Sequence, residues 1–315
     1  MSAYLTRRLA GFALNLFFVS IFVFTLLRLI PGDAAANILG QEASPENLEQ
    51  FREAHGLNGS WFEQYTSWAG GILQGNFGKS LWSHTSVTST FFERLPITLE
   101  IVLLSFTFTL IFGISAGILS ALKQNTGTDI MVRVFAIFGL AVPNFLILTL
   151  LLVVPARYFG YAPPFGATNP FDSPVDNLRL FVPPTLLLAL SSSAVLMRFT
   201  RSGFLEVLRQ DYIRTARSKG LDERIITIRH AFRNALPPVL TLAGLQLGGL
   251  LSGSIILERV MGLPGLGVWT LDAIQNKDIP VVMLVSMYTA MVLMTINLVI
   301  DLSYALIDPR IRLTG

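Results

Sequence analysis

The sequence has no cysteine and only three histidines in 315 residues. Without cysteine there can be no disulfide framework, no thiolate metal site and no cysteine nucleophile. The histidines, His55, His84 and His230, lie far apart and none belongs to an H-E-x-x-H pair, the spacing that places two metal-binding imidazoles on one helix face. No serine nucleophile elbow is expected, so no catalytic residue and no metal ligand is assigned. Charge is scarce as well. Only 14% of residues are charged and 52% are hydrophobic, whereas about a quarter of a soluble domain is charged. The mean hydropathy of +0.59 is too high for a water-facing surface.

The apolar residues are gathered into long blocks. A helix needs about 20 such residues to cross a hydrocarbon core roughly 30 Å thick, whereas a membrane β-barrel would show alternating segments of about ten. The blocks predict an all-α polytopic membrane protein with about six spans, near residues 9–30, 97–122, 134–154, 182–197, 239–257 and 280–300. The first follows Arg7 and Arg8, lacks a small-residue cleavage pattern, and is expected to be retained as a span. Arg28 sits near its far end, where its stem can snorkel to the interface, and Pro31-Gly32 is expected to stop the helix. Span three contains Pro143-Asn144, which predicts a kink. The chain is expected to divide into an N-terminal span over 1–32, an extracytoplasmic segment over 33–96, and a core of five spans over 97–315. In the outer segment Ser44-Pro45-Glu46 predicts the start of a surface helix, and Trp61, Trp68 and Trp82 are expected at the membrane interface. The stretches 123–133, 155–181 and 258–279 are expected to be loops, the second irregular and the third a Gly/Pro loop.

Lys and Arg distribution sets the orientation. The N-terminus, the 123–133 and 198–237 loops and the tail hold fifteen basic residues; the opposite loops hold seven and are richer in acids. Both termini are therefore expected in the cytoplasm. The outer phrase LQGNFGKS approaches a phosphate-binding loop, but Leu73 stands at the first glycine position. A P-loop also needs a strand before it and a helix after it, so no nucleotide is assigned there.

Inside the spans, Gly244, Gly248 and Ser252 recur at four-residue spacing, with Gly249 and Gly253 beside them. Small residues at that spacing let helix backbones approach closely, either within the subunit or at a second one. Gln246 is read as an interhelical hydrogen-bond partner. Asn297 and Asp301 lie one turn apart near the inner end of span six. A proton relay there would suit an ion-coupled transporter, but Asp301 is close enough to the boundary to be solvated or paired.

The stretch 198–237 holds nine basic residues against four acids. Phe204, Leu208, Ile213 and Ala216 recur at helical spacing, Gly220 supplies a C-terminal stop, and Asp222 is placed to cap a second helix. Pro237-Pro238 is expected to end that helix before span five. A loop built only to set orientation, or to contact anionic lipid, has no need of this helix–Gly–helix punctuation.

At this point the sequence resembles a known family, the inner-membrane permease subunits of ATP-binding-cassette importers for dipeptides, oligopeptides and nickel. The phrase DYIRTARSKGL…RHAFRNALPPVLT is similar to that family's EAA loop, whose general pattern is E-A-A-x-x-x-G followed by L-P. Counting back from Gly220 puts Arg214, Thr215 and Ala216 at the E-A-A positions, so two of the three pattern residues are replaced. Leu236-Pro237 falls later than in the general pattern; both departures resemble the peptide/nickel branch. The phrases YLTRRL…FTLLRLIPGD, GNFGKSL, RLPITLE, RFTRSGFLEVLRQDY and ERVMGLPGLG extend the likeness over nearly the whole chain, in the manner of the "B" permease with its long first outer loop.

The resemblance implies a type I importer permease fold and a pore-forming, non-catalytic role. It also implies ATP and Mg on two cytoplasmic ATPase subunits, a second homologous permease as heterodimer partner, and an extracytoplasmic substrate-binding protein. Lipid surrounds the chain, and nucleic acid is not a partner. The coupling residues carried over are Asp211, Tyr212, Arg214, Thr215, Ala216, Arg217, Lys219, Gly220, Leu221, His230, Asn234 and Pro237. Di- or oligopeptides are the implied substrates, and no substrate-binding residue is assigned. A secondary, ion-coupled transporter is the alternative, and a membrane enzyme ranks behind it.

Overall fold

The computed structural model describes residues 2–29, 34–40, 43–160 and 170–307. Its regular elements are helical, with one isolated bridge between Lys79 and Ser86. Pro31-Gly32 and the basic tail lie outside the described residues. Among the described residues, five helices are long and apolar enough to cross a membrane, or six if one bent pair counts as a single span. The chain divides into two compact units, Met1–Pro96 with Pro264–Leu298, and Ile97–Leu263 with Val299–Gly315.

The first unit begins with α1 (Ser2–Leu29), followed by the short helices α2 (Ala34–Leu39), α3 (Pro45–Ala54) and α4 (Trp61–Leu73). Ser44 caps α3 as expected, its side chain accepting from Asn47 N at 3.2 Å with Pro45 in the first turn. Helix α4 opens with a capping box: Ser60 Oγ accepts from Glu63 N at 3.3 Å, and Glu63 Oε2 accepts from Ser60 N at 2.8 Å. Two otherwise orphaned donors are thus satisfied reciprocally. Phe24 of α1 is buried against Tyr65 and Trp68, with ring centroids 5.4 and 6.0 Å away. Trp68 is therefore a packing residue, while Trp61 and Trp82 are exposed.

Three further helices contribute to its second core. Helix α5 (Val87–Leu122) starts ten residues before the expected boundary at 97, and its first part belongs here. Pro96 is accommodated within it because the carbonyl left without a donor is that of Phe92, an exposed residue. The stretch expected as a Gly/Pro loop over 258–279 instead contains a helix at Leu266–Gln275. Its apolar face, Leu266 and Trp269, packs with Val87, Phe91 and Val281. Local Gly and Pro counts miss it because burial of that face, not propensity, stabilises so short a helix. The last span runs over Ile279–Ile307. Just before it, Asp278 is buried and accepts from Leu81 N at 3.1 Å and from Ser80 Oγ.

In the second unit the expected kink is a sharp break. Helices α6 (Gly127–Ala141) and α7 (Asn144–Phe159) meet at 87°. Val142 between them is extended, with φ −96° and ψ 124°, the conformation that a following proline enforces. The 123–133 loop is correspondingly shorter than expected, since α6 already begins at Gly127.

The largest correction concerns span four. The expected irregular loop 155–181 and the span 182–197 are replaced over the described residues. Helix α7 continues through Pro155 to Phe159, and α8 runs unbroken over Pro174–Leu208. Pro174 sits in its first turn, where the missing N–H costs nothing. The apolar stripe of α8 continues past the hydrophobic block because its core-facing positions do, down to the buried Phe204.

Helix α8 is the central post of this unit. Gly113 and Gly117 of α5 lie against it: a Cβ on Gly117 would stand 2.6 Å from Thr200 Cβ and 2.8 Å from Met197 O. These glycines also spell G-x-S-x-G over Gly113–Gly117, a spacing that the expectation of no nucleophile elbow had passed over. The pentapeptide lies within a continuous helix, and Ser115 Oγ donates to the carbonyl of Ile111. Its glycines serve close packing.

Candidate functional site

After α8 ends at Leu208, the polar loop forms α9 (Asp211–Ser218), a turn of helix α10 (Glu223–Ile225) and a π-helical stretch (Ile226–Phe232). Helix α11 (Arg233–Met261) follows without a break. The single helix expected over 204–216 is thus divided at Arg209-Gln210. Pro237-Pro238 do not end a helix either; both lie inside α11. The carbonyls they leave without donors, of Arg233 and Asn234, belong to exposed residues, where water can serve them. The wider π-helical stretch lies one helical turn before them, a feature that recurs at functional positions.

The short helix α9 has one apolar edge and one polar face. Ile213 and Ala216 are buried with Ile226, three residues apart and hence on one side of the helix. Tyr212, Arg214, Thr215, Lys219 and Leu221 are exposed, as is Asp211. Of the residues carried over from the resemblance, Ala216 therefore faces the loop's own core. Gly220 adopts φ 75°, and its N–H bonds Arg217 O at 2.9 Å while Leu221 N bonds Ala216 O at 3.3 Å. This pair of bonds is the Schellman closure, which needs a left-handed residue where glycine stands.

Side chains then lock the two halves of the loop together. Arg217 grips Glu223 across the glycine turn with Nε–Oε1 at 2.7 Å and a second bond at 3.2 Å; the carboxylate beside it raises the guanidinium's affinity for its proton. Asp222 caps the next turn by accepting from Arg224 N at 2.6 Å. Asn234 Nδ2 donates to Tyr212 Oη at 3.0 Å and to the carbonyl of His230 at 2.8 Å. Residues 22 apart in sequence are thereby joined. At the base, Phe204, Ala231 and Ala235 are buried with Ala121 of α5, and the Phe204 and Phe232 rings lie 6.2 Å apart. The loop is a folded platform resting on α5 and α8.

Sequence reading missed what anchors the membrane helices beneath that platform. Asp129 is fully buried and accepts from Ser120 Oγ at 2.5 Å, Asn125 N at 3.0 Å, and Arg201 Nε and Nη2 at 2.8 and 2.9 Å. An acid in the first turn of a helix ordinarily reads as a solvated complement to the helix dipole. Only the arrival of Arg201 from α8 distinguishes this one. Glu258 is likewise fully buried and accepts from Thr98 Oγ1 at 2.7 Å.

The small-residue face of α11 is divided. Gly244 is buried and Gly248 half-buried, while Ser252 and Gly249 are exposed. Gly253 abuts Leu188 of α8, where a Cβ would stand 2.6 Å from Leu188 Cδ1. Gln246 Nε2 reaches the carbonyl of Ser192 at 3.2 Å, the interhelical bond expected of it. Asn297 is exposed on the last helix and Asp301 is half-buried.

These features define a class: a polytopic helical membrane protein with a folded polar loop braced against its transmembrane helices. Comparison with known proteins makes the class specific. The model of the "Binding-protein-dependent transport system inner membrane component" matches residues 113–313, and that of the N-terminal region of such components matches residues 1–103. The chain belongs to this family. The glutathione transport system permease protein GsiC of Escherichia coli K12 is 36% identical over 99% of both chains. A putative peptide transport system permease of Brucella abortus is 37% identical over the same share of each. Among solved structures, an inward-facing form of the methionine ABC transporter MetNI aligns with a TM-score of 0.52 at 16% identity. It covers 69% of this chain and 96% of that one, a likeness of fold. The protein is thus a multi-pass inner-membrane permease component of an ABC importer, and not a secondary transporter.

Proposed function

We propose that this chain forms half of the translocation path of a peptide importer and that its polar loop couples the path to ATP. The observation that carries this reading is the platform itself: α9, its Gly220 closure and the Arg217–Glu223 clamp. A helix of eight residues is marginal alone; buried Ile213 and Ala216 and these locks make it stiff enough to transmit a push. Its exposed row of Asp211, Tyr212, Arg214, Thr215, Lys219 and Leu221 is the face that seats in a groove of a cytoplasmic ATPase. His230, Asn234 and Pro237 form the strut behind it. ATP and Mg are bound and ATP is hydrolysed on two such partner subunits, and none of that chemistry falls to this chain.

Both termini and the loop face the cytoplasm, in keeping with the Lys/Arg bias. Residues 1–32 form an N-terminal span, 33–96 an extracytoplasmic segment, and 97–315 the core. A second, homologous permease completes the path, meeting the open Gly248–Ser252 edge of α11, and an extracytoplasmic binding protein delivers substrate. The nature of the relatives, a glutathione permease and a putative peptide permease, supports short peptides as cargo. The test is uptake of labelled di- and tripeptides into vesicles holding the chain with its partner permease, ATPases and binding protein. Uptake should require ATP and be blocked by vanadate. Uptake driven by a proton gradient without ATP would overturn the coupling.

A further inference from the structure

Helix α4 carries its apolar and polar sides the wrong way round for a helix in water. Phe62, Thr66, Ala69 and Leu73 follow one another at spacings of four, three and four, which puts them on one side of the helix. Phe62 and Leu73 are 75% and 89% exposed, and Trp61 in the same first turn is 52% exposed. Thr66, the polar residue of that row, turns its hydroxyl back to the carbonyls of Phe62 at 3.0 Å and Glu63 at 3.1 Å. The polar side chains lie elsewhere on the helix. Glu63, Gln64 and Ser67 line a cavity of about 490 Å³ within the first unit, and Gln64 Nε2 donates to the carbonyls of Leu57 and Gly59.

The contacts of α4 with α1 fix the level at which it sits. Tyr65 Oη and Ser20 Oγ share a hydrogen bond of 2.8 Å, and the Tyr65 ring lies against Phe24. Ser20 is nine residues inside the end of the candidate span Thr6–Leu29, which at 1.5 Å per residue is about 13.5 Å. A helix held wholly in the aqueous outer segment would meet only the last turn of α1. Beside this contact Phe17, Phe18 and Phe22 of α1 are exposed, so the surface that borders α4 is that of a membrane span. Both ends of α4 are also closed internally. The Ser60–Glu63 box serves the first turn, and the N–H groups of Gln74, Gly75 and Asn76 bond the carbonyls of Gly71 and Ile72, as lipid requires of backbone groups.

We propose that α4 is a monotopic helix seated in the lipid leaflet, with Phe62, Ala69 and Leu73 turned to acyl chains and Trp61 at the headgroup level. Such helices lie with their apolar face about 5–10 Å into the boundary between headgroups and chains. The occupant of the exposed row is lipid, and α4 holds the outer segment to the bilayer at a second point besides α1. That the leaflet is the outer one rests on the proposed orientation of the chain; the contact with lipid does not.

The test places single cysteines in this cysteine-free chain and uses the full-length protein in lipid nanodiscs, alone and assembled with cysteine-free partner subunits. Nitroxide labels at Phe62→Cys, Thr66→Cys and Leu73→Cys report collisions with oxygen, which partitions into lipid, and with a water-soluble nickel chelate. Phe18→Cys supplies the reference for lipid, and Gln50→Cys, exposed on α3, the reference for water. The oxygen-to-nickel ratio at 62, 66 and 73 is expected to match that at 18 and to exceed that at 50 at least threefold, in both preparations. A ratio equal to that at 50 places the row in water and overturns the proposal. Protection from both reagents in the assembled protein places the row against a partner subunit and overturns it as well. If Phe62→Cys or Leu73→Cys does not yield folded protein, Thr66→Cys, a change of little volume on the same row, decides. The measurement on the chain alone needs no ATPase or binding protein, so failure of the coupling reading leaves it untouched.

Discussion

Asp129 accepts four hydrogen bonds from a position with no exposed surface, two of them in a bidentate pair from Arg201. Arg133 adds a longer ion pair at 3.5 Å. A carboxylate so placed stabilises only while its cation is present, since breaking a buried pair from one side leaves an uncompensated charge that costs about 3–5 kcal/mol. Arg201→Gln is expected to lower the thermal unfolding midpoint of the purified protein markedly and to reduce its abundance in the membrane. The double change Arg201→Gln with Asp129→Asn should recover much of that loss, because it removes the stranded charge. A double variant no better than the single one would place the destabilisation in lost packing. Gly117 and Gly253 act at the same scale, but sterically: each gives up its side chain so that α8 can approach.

At the scale of the element, the proposed coupling loop is built on a short helix that holds its shape through its ends. Gly220 at φ 75° cannot be replaced by proline, whose ring fixes φ near −65° and which lacks the N–H that bonds Arg217 O. Gly220→Pro is expected to reduce ATP-dependent uptake at least tenfold at normal membrane abundance. Arg217→Glu should do likewise by setting two carboxylates against each other. The exchange Arg217→Glu with Glu223→Arg restores the clamp and should restore transport. If the exchange stays inactive while folding normally, the Arg217 side chain itself touches the partner. Much of this element was legible beforehand. The helical spacing of Ile213 and Ala216, the glycine stop and the Asp222 cap are local signals, and each is present. The division at Arg209-Gln210 and the passage of α11 through Pro237-Pro238 were not legible. They depend on which carbonyls reach solvent and on how Phe204 and Ala235 pack at the base.

For the whole molecule, the absence of cysteine is an experimental convenience, because any thiol introduced is the only one. With Lys219→Cys and Ser83→Cys placed at exposed sites, a membrane-impermeant maleimide should label position 219 only in inverted vesicles and position 83 only in right-side-out ones. Labelling of both from one face would overturn the proposed orientation. The two positions lie in different units of the chain, so the measurement also decides which face each presents.

Hydrophobic block length by itself determined that this chain is an α-helical membrane protein of about six spans, because bilayer thickness sets a length that no other fold requires. Charge placement and punctuation likewise marked 198–237 as the folded polar loop. The tertiary structure alone decided where helices end, since a helix buried against neighbours continues through prolines and polar residues that would stop it in isolation. It also decided which polar groups matter. Asp129, Arg201, Glu258 and Thr98 acquire their partners from helices distant in sequence, and no local pattern announces such a meeting. Gly220 belongs to the first kind of feature; the Asp129–Arg201 pair, brought together from different helices, belongs to the second.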